Sequence, residues 1–353
     1  MKKLRVGIIG TGGISQCHTE GYQQLPELCE VVACCDIDAQ KVEKYAARYG
    51  IPNWYTDCRE MMAKENLDCV SVCTWNSAHK ECTIVALDAG ANVLCEKPMA
   101  MNAAEAAEMN EAAKRNGKLL QVGFVRRFGT DAETVRSFEK AGMLGDVYYA
   151  KAQYLRRSGC PGGWFKDKRF SGGGPLIDLG VHVIDLARYL AGSPKPVSAF
   201  GCTYDNLGPN RANGGQSAWA VADLDEHPYN VEDFVSALIR FDNGFTLQLE
   251  ASFNLNIPED HGEVDIFGTK SGIKIEDNVE IYTDMAGKFV NMTPTGKTGF
   301  DFKKAFDAEI AGFINASLGK EPCKASGEDG EALMKIIDAI YESAEKGVSV
   351  AIK

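Results

Sequence analysis

Apolar runs alternate with amphipathic stretches along the first third of the chain. Strand-like runs lie at residues 4–9, 31–35, 69–73, 92–95 and 119–122. Helical patterns separate them, most clearly at 39–49, 79–89 and 103–116. This alternation predicts βαβ units around a parallel sheet. Because helices cover both faces of such a sheet, its strands are apolar throughout instead of alternating.

A different pattern begins near residue 145. Residues 147–156 alternate as a strand, a basic glycine-rich loop follows, and residues 175–190 form an apolar helix. Further strands are predicted at 197–204, 234–241 and 245–253, and helices at 302–318 and 327–346. The turn Asp242-Asn243-Gly244 favours a hairpin. We predict an N-terminal doubly wound α/β domain at 1–123 and a C-terminal α+β domain with a mostly antiparallel sheet at 124–353.

Composition narrows the class of protein. The 353 residues suit two domains, and 45% hydrophobic with 25% charged residues is typical of globular proteins. A net charge of −11 disfavours nucleic acid or an anionic membrane as partner, because both attract basic surfaces. No apolar run approaches the ~20 residues of a membrane span. The start, MKKLRVGIIGTGG, is interpreted as a strand and not a signal peptide.

Cysteine usage bears on the compartment. The chain has twelve cysteines and no CxxC pair. Most lie in apolar strand patterns, where cysteine acts as a small hydrophobic residue. This usage suits a reducing environment, so we expect a cytoplasmic protein without a disulfide framework. No metal site is predicted.

A glycine-rich turn follows the first predicted strand and opens a helix. Gly10 permits the tight turn, and Gly12 lets the backbone approach a pyrophosphate. Gly13 and Ile14 lead into the helix, whose N-terminal N–H groups favour phosphate. Ser15 replaces the third glycine of the fingerprint and is small enough to pack closely. The alternative, a tight turn without a ligand, fits this strand–turn–helix context less well.

Asp36 ends the second predicted strand, 23 residues after Gly13. A carboxylate near this spacing binds the adenosine ribose and repels a 2′-phosphate, so NAD is favoured over NADP. The alternative role is to cap the helix from residue 39, for which Asp38 is better placed.

Lys97 belongs to the sequence Cys95-Glu96-Lys97-Pro98 at the carboxyl end of the strand predicted at 92–95. Ligands of open α/β sheets bind outside the carboxyl ends of the strands. Proline restricts the preceding residue to an extended backbone, which fixes the direction of the Lys97 side chain. Lys97 could contact substrate or the nicotinamide amide, or it could be an ordinary surface lysine.

The apolar helix at 175–190 carries a polar stripe. Asp178, His182 and Asp185 are spaced i, i+4 and i+7, on one helix face. Buried carboxylate and imidazole groups are costly unless they are paired or face a wet cleft. The stripe favours a catalytic role over a core histidine, since histidine is the natural acid/base at neutral pH. The loop before this helix contains Trp164 and several basic residues. These side chains could bind a sugar, or the loop could be an ordinary solvated basic loop.

These pieces together resemble one family. VGIIGTGGIS with His18, TWNSAH, CEKPMA, GFVRRF and GGGPLIDLGVHVIDL are similar to the glucose–fructose oxidoreductase/inositol dehydrogenase (Gfo/Idh/MocA) family over essentially the whole chain. The resemblance implies a Rossmann domain followed by a domain with a large open sheet. It also implies a homodimer or homotetramer formed through that sheet.

The resemblance implies roles for individual residues. Lys97 would contact the reacting hydroxyl or the nicotinamide, Asp178 would bind a substrate hydroxyl, and His182 would remove its proton. Arg126 matches a position that often touches substrate. The cofactor-lining segments correspond to Thr74, Trp75, Asn76, His79 and Glu96. Trp75 stands where proline is more usual, which leaves the role of Asn76 less defined.

We therefore expect an NAD-dependent oxidoreductase acting on a secondary hydroxyl of a sugar, glycoside or inositol-like cyclic polyol. Two alternatives stay open. Tightly held, recycled NAD would give a glycosidase-type net reaction. A regulator on the same fold would bind NAD and sugar without turnover, although it would not need Lys97, Asp178 and His182 together.

Overall fold

The computed structural model describes residues 3–208 and 227–353. They form two compact units. The first contains the chain up to Val125 together with Lys303–Glu331, and the second contains Arg126–Phe302 and Ala332–Lys353. Within the described ranges, no helix combines the length and apolar character needed to cross a membrane.

The first unit is built on six parallel strands in the order β3-β2-β1-β4-β5-β6. Its strands are β1 (Leu4–Ile9), β2 (Cys29–Cys35), β3 (Asn53–Tyr55), β4 (Cys69–Val72), β5 (Asn92–Cys95) and β6 (Leu120–Val122). Its first five helices are α1 (Ser15–Gln23), α2 (Ala39–Tyr49), α3 (Cys58–Glu65), α4 (His79–Asp88) and α5 (Ala103–Asn116). This is the Rossmann order, and its direction reverses between β1 and β4. The predicted doubly wound sheet is confirmed.

Local sequence explains where these helices begin and end. Asp38 caps α2 by accepting the N–H groups of Gln40 and Lys41. Asn102 caps α5 in the same way, and glycine in the left-handed conformation ends it at Gly117.

Seven of the twelve cysteines are buried, and all twelve are free thiols. The seven buried cysteines pack as small apolar side chains.

The first unit also takes a helix from the end of the chain. Helix α9 (Phe302–Ser317) places Ile310, Phe313 and Ile314 in the same core as Val6 and Ile8 of β1. The observed division is therefore not a single cut near residue 123. The apolar face of α9 was visible in the sequence, but periodicity does not reveal which core a face joins.

The second unit is built on nine strands in the order β14-β13-β12-β11-β7-β10-β9-β8-β15. The strands are β7 (Val147–Leu155), β8 (Pro196–Tyr204), β9 (Phe234–Phe241), β10 (Thr246–Ser252), β11 (His261–Gly268), β12 (Ser271–Ile275), β13 (Val279–Met285), β14 (Lys288–Met292) and β15 (Val350–Ala351). Its helices are α6 (Thr130–Lys140), α7 (Lys168–Ser171), α8 (Val181–Leu190) and most of α10 (Gly327–Lys346). Strands β7 and β10 pair in parallel and the other neighbours are antiparallel, so the predicted mostly antiparallel sheet is confirmed.

The two faces of this sheet differ. One face is apolar and buried, with Ala152, Leu249 and Ile266 fully enclosed. The opposite face leaves Phe200 and Leu238, which pair across β8 and β9, 44% and 45% exposed. The open face of this sheet therefore carries large apolar side chains that are partly exposed.

Candidate active site

The glycine-rich turn after β1 fits a dinucleotide pyrophosphate. Gly10 has φ +87°, and a Cβ there would lie 2.6 Å from the carbonyl carbon of Cys73 after β4. Only glycine allows this approach at the point where the strand order reverses. A Cβ on Gly12 would meet nothing within 4 Å, so the backbone is open at that point. Helix α1 then begins at Ser15 without an acidic residue in its first turn, which leaves its positive end available to an anion.

Ser15 performs the packing role expected of the third glycine. Its side chain is fully buried, and its hydroxyl donates to the Gly12 carbonyl oxygen at 2.6 Å. The Ser15 carbonyl oxygen in turn accepts from the Tyr45 hydroxyl of α2 at 2.8 Å. The turn is thus held from both sides.

Asp36 is bound to the same turn. Its Oδ2 accepts the backbone N–H and the hydroxyl of Thr11, each at 2.8 Å, and its Oδ1 accepts the N–H of Asp38 at 3.2 Å. Asp38, not Asp36, caps α2, as the sequence indicated. The Asp36 carboxylate is therefore held beside the glycine turn, at the end of β2. Its Oδ2 lies 3.9 Å from the Lys41 ammonium.

The segment after β4 is tied to the segment after β5 by His79. This imidazole is 1% exposed, with Nδ1 2.7 Å from the Pro98 carbonyl oxygen and Nε2 3.1 Å from that of Thr74. Burial lowers its pKa. Of its neighbours, Asn76 is buried and Trp75 is exposed. His79 therefore connects the segment after β4 with the segment after β5, and both of its ring nitrogens face protein carbonyl oxygens.

Glu96 faces the interior of the first unit. Its Oε1 lies 2.8 Å from His18 Nε2, and its Oε2 accepts the backbone N–H of Lys97 at 3.0 Å. Burial alone would raise the pKa of Glu96, but His18 and Lys97 outweigh it, so the pKa is lowered and the carboxylate is favoured. Lys97 itself is half-buried at the end of β5. Glu96 therefore supports Lys97 from within the protein.

The polar helix of the second unit differs from the regular helix predicted at 175–190. Leu176–Gly180 form a π-helical turn, and α8 follows it. Asp178 lies in this turn and is 7% exposed, whereas His182 is half-buried in the first turn of α8. π-turns are rare and occur frequently at functional sites. The wider turn carries Asp178 and leads directly into the helix turn that carries His182.

Asp185 does not share the setting of the other two stripe residues. It makes a two-pronged ion pair with Arg127, with oxygen–nitrogen distances of 2.6 and 2.9 Å, and both side chains are at most 2% exposed. Arg127 also stacks on the Tyr189 ring, 4.8 Å from its centroid. The predicted polar stripe therefore ends at His182, because the Asp185 carboxylate is buried in an ion pair with Arg127.

Glu232 was missed by sequence reasoning. Its carboxylate accepts the N–H groups of Gly174 and Leu176 at 2.9 and 3.1 Å, and the Tyr341 hydroxyl donates to it at 2.9 Å. A Cβ on Gly174 would lie 2.3 Å from the Glu232 carbonyl oxygen, which explains one glycine of the GGG run. Glu232 thus holds the start of the turn that carries Asp178. No local pattern marked it, since 56 residues separate it from Leu176.

The predicted substrate contacts of the second unit have partners of their own. Arg126 pairs with buried Asp131 at 2.6 Å and lies over the Phe300 ring at 4.4 Å. Trp164 stacks on Phe165 with ring centroids 3.9 Å apart. These contacts give Arg126 a fixed guanidinium and Trp164 a supported aromatic face.

The negative charge of Asp178 affects the thiol of Cys160. Burial raises the pKa of the Cys160 thiol to about 11, and the Asp178 carboxylate adds to the rise. The loop before α7 therefore passes near the carboxylate of the π-turn.

Comparison with known proteins gives family matches in both parts of the chain. Residues 4–124 match a family described as an oxidoreductase family with an NAD-binding Rossmann fold, and residues 132–274 match the GFO/IDH/MocA C-terminal domain. The chain is 37% identical over 350 residues to the D-glucoside 3-dehydrogenase of Escherichia coli, covering 98% of this chain and 97% of that protein.

Two further comparisons extend over full length. The levoglucosan dehydrogenase of Pseudarthrobacter phenanthrenivorans is 26% identical over 381 residues, covering 98% of this chain and 97% of that protein. A solved levoglucosan dehydrogenase in complex with NADH and levoglucosan matches with a TM-score of 0.84 at 25% identity, covering 99% and 100% of the two chains. With the two family matches, these relatives show that the chain is an oxidoreductase of the Gfo/Idh/MocA family.

Proposed function

We propose that the protein oxidises a secondary ring hydroxyl of a glucoside or a related sugar, with NAD+ as the oxidant. The proposal rests on what each unit carries: the first has an open glycine turn after β1, and the second has Asp178 in a π-turn and His182 in the helix that follows. The names of the relatives support a sugar as substrate, and the 3-hydroxyl of a D-glucoside is the first position to test.

The residues that would hold the dinucleotide belong to the first unit. The turn at Gly10–Ile14 would bind the pyrophosphate, and Asp36 would bind the adenosine ribose. Thr74, Trp75, Asn76 and Lys97 would line the nicotinamide half. When bound, NAD+ supplies the acceptor for the hydride that leaves the hydroxyl-bearing carbon.

The acid/base work falls to the second unit. His182 takes the hydroxyl proton, and Asp178 accepts a hydrogen bond from the substrate and orients it. The Lys97 ammonium stabilises the negative charge that develops on the oxygen as the proton leaves. Arg126 and Trp164 contact the remainder of the sugar. Hydride and proton together account for the two hydrogens removed when the alcohol becomes a ketone.

A substrate panel tests this function. Absorbance at 340 nm would be followed with NAD+ and, separately, NADP+ in the presence of methyl β-D-glucoside, levoglucosan and myo-inositol. Steady growth with NAD+ is expected. A single burst equal to the enzyme concentration would indicate a retained, recycled cofactor and a glycosidase-type reaction. No change with any sugar would favour a regulator that binds without turnover.

Asp36→Ser is expected to weaken NAD+ binding roughly tenfold to a hundredfold, because a hydrogen bond to a charged group contributes about 1.5–3 kcal/mol. Isothermal titration would measure the affinity. Asp38→Ala is the matched control, since it removes the cap of α2 and lowers stability at a residue that is not assigned to the cofactor. Equal NAD+ affinity in Asp36→Ser and wild type would remove Asp36 from the cofactor site.

We also propose that the open sheet face joins copies of the chain into a dimer or tetramer. Phe200 and Leu238 lie side by side on that face and are nearly half exposed. Replacing both with aspartate is expected to yield monomers in light scattering. Trp54→Asp, at an exposed apolar residue of the first unit, should leave the mass unchanged. A wild-type monomer would contradict this proposal.

A further inference from the structure

A buried polar chain leads from α1 to Lys97. The Tyr22 hydroxyl lies 2.7 Å from Ser71 Oγ, which lies 3.0 Å from His18 Nδ1. His18 Nε2 lies 2.8 Å from Glu96 Oε1, and Glu96 Oε2 accepts the Lys97 N–H at 3.0 Å. Tyr22, Ser71 and His18 are at most 1% exposed, and Glu96 is 5% exposed. Buried polar networks of this kind fix a single arrangement only when every member is satisfied.

Counting donors and acceptors gives the direction of this chain. The Glu96 carboxylate only accepts, so His18 must present a proton on Nε2. His18 Nδ1 can then accept from the Ser71 hydroxyl, whose oxygen accepts from the Tyr22 hydroxyl. This order gives each group a partner with a single proton on the ring. The opposite order would leave the Tyr22 hydroxyl proton without an acceptor among these groups.

The array has the composition of a carboxylate–imidazole–hydroxyl triad, but it is not a nucleophilic site. Ser71 is fully buried, and its oxygen faces the Tyr22 hydroxyl. No substrate could reach a hydroxyl in that position. The half-buried residue at the end of the array is Lys97. The hydrogen-bonded array therefore ends at Lys97, and its serine is not a nucleophile.

We propose that His18 and Glu96 are positioning residues for Lys97, an inference that rests on the proposed function for its catalytic consequence. The imidazole fixes the Glu96 carboxylate, and the carboxylate fixes the Lys97 amide. Gly123 leaves room for this carboxylate, since a Cβ there would lie 3.2 Å from Glu96 Oε1. On the other side, His79 lies 2.7 Å from the Pro98 carbonyl oxygen. The backbone around Lys97 is thus held on both sides.

Hydrogen exchange of the Lys97 amide tests the positioning without substrate or cofactor. In amide-resolved NMR of the full chain, we expect slow exchange in the wild type and faster exchange in His18→Leu. His18→Gln should restore slow exchange, because its side-chain N–H₂ can still donate to Glu96. Tyr22→Phe is the matched control, since Ser71 can still donate to His18 Nδ1 after the outer hydroxyl is removed. Unchanged exchange in His18→Leu would overturn the proposal.

Turnover gives a second readout. His18→Leu is expected to lower kcat by about 10²-fold, the cost of misplacing a catalytic group by about 1 Å. Affinity for NAD+ should stay at the wild-type value, and His18→Gln should recover most of the turnover. If the wild type oxidises no sugar, the proposed function fails, while the exchange measurement still decides whether His18 positions Lys97.

Glu96→Gln keeps the proposal testable if His18→Leu fails to fold. The carboxylate accepts from the His18 Nε2–H and from the Lys97 N–H with different oxygens, whereas glutamine has a single acceptor oxygen, so one of these two donors must lose its acceptor. We expect either faster exchange of the Lys97 amide or, in nitrogen-15 spectra, a move of the His18 proton from Nε2 to Nδ1. Wild-type exchange of the Lys97 amide together with a His18 proton kept on Nε2 would contradict the proposed network.

Discussion

His182→Ala is expected to lower turnover by at least ~100-fold, the low end of what general acid–base catalysis contributes. The half-buried imidazole at the start of α8 is the group assigned to take the substrate proton, and alanine offers no replacement. NAD+ affinity should not change, since the residues assigned to the dinucleotide belong to the other unit. Steady-state kcat on the best sugar of the panel and isothermal titration with NAD+ would measure the two quantities.

His261→Ala is the matched control for this experiment. His261 belongs to the same unit and is also partly exposed, but it lies at the start of β11 beside Glu263 and Glu276. Turnover of this variant should equal that of the wild type. Near wild-type turnover in His182→Ala would remove the imidazole from the reaction.

Asp185→Ala is expected to lower the free energy of unfolding by about 3–5 kcal/mol, because it leaves the Arg127 charge buried without its main partner. Both side chains are at most 2% exposed, so water cannot replace the lost carboxylate. Denaturant unfolding followed by circular dichroism would measure the change. Replacing Arg127 and Asp185 together with leucine should recover much of the loss, since no uncompensated charge then remains.

An exposed pair provides the comparison. Arg115 Nη2 lies 2.6 and 2.8 Å from the two carboxylate oxygens of Asp88, and its Nε lies 3.2 Å from one of them. Both side chains are about half exposed. Asp88→Ala should cost less than about 1 kcal/mol. Equal losses in the two variants would show that burial does not determine the strength of the Arg127–Asp185 pair.

The sequence predicted most of the first unit because its strands and helices have clear periods. The boundaries of β1, α2 and β5 agree with the apolar runs and helical patterns. Strand β3 was not predicted, since three residues at a sheet edge, Asn53–Tyr55, are too short to show a period. Likewise, the apolar face of α9 predicted a helix but not its place in the first unit.

The candidate site was predicted in part. The spacing of Asp178 and His182 suggested that both lie on one face of a regular helix. It could not reveal that the residues around Asp178 form a π-turn. Nor could it separate Asp185 from the stripe, because the deciding partner, Arg127, lies 58 residues earlier in the chain. The contacts of Glu232 and His18 also join distant segments. Residue types and spacing therefore suggested a chemistry, which stays a prediction, while the tertiary contacts of these groups could not be inferred from spacing.

Transfer of deuterium tests the central claim most directly. The protein would be mixed with NAD+ and a methyl β-D-glucoside deuterated at every ring carbon, and the reduced cofactor, free or protein-bound, would be analysed by mass spectrometry. We predict one deuterium in the reduced nicotinamide, whether the cofactor is released or retained. Binding of both compounds without any deuterated reduced cofactor would contradict the account.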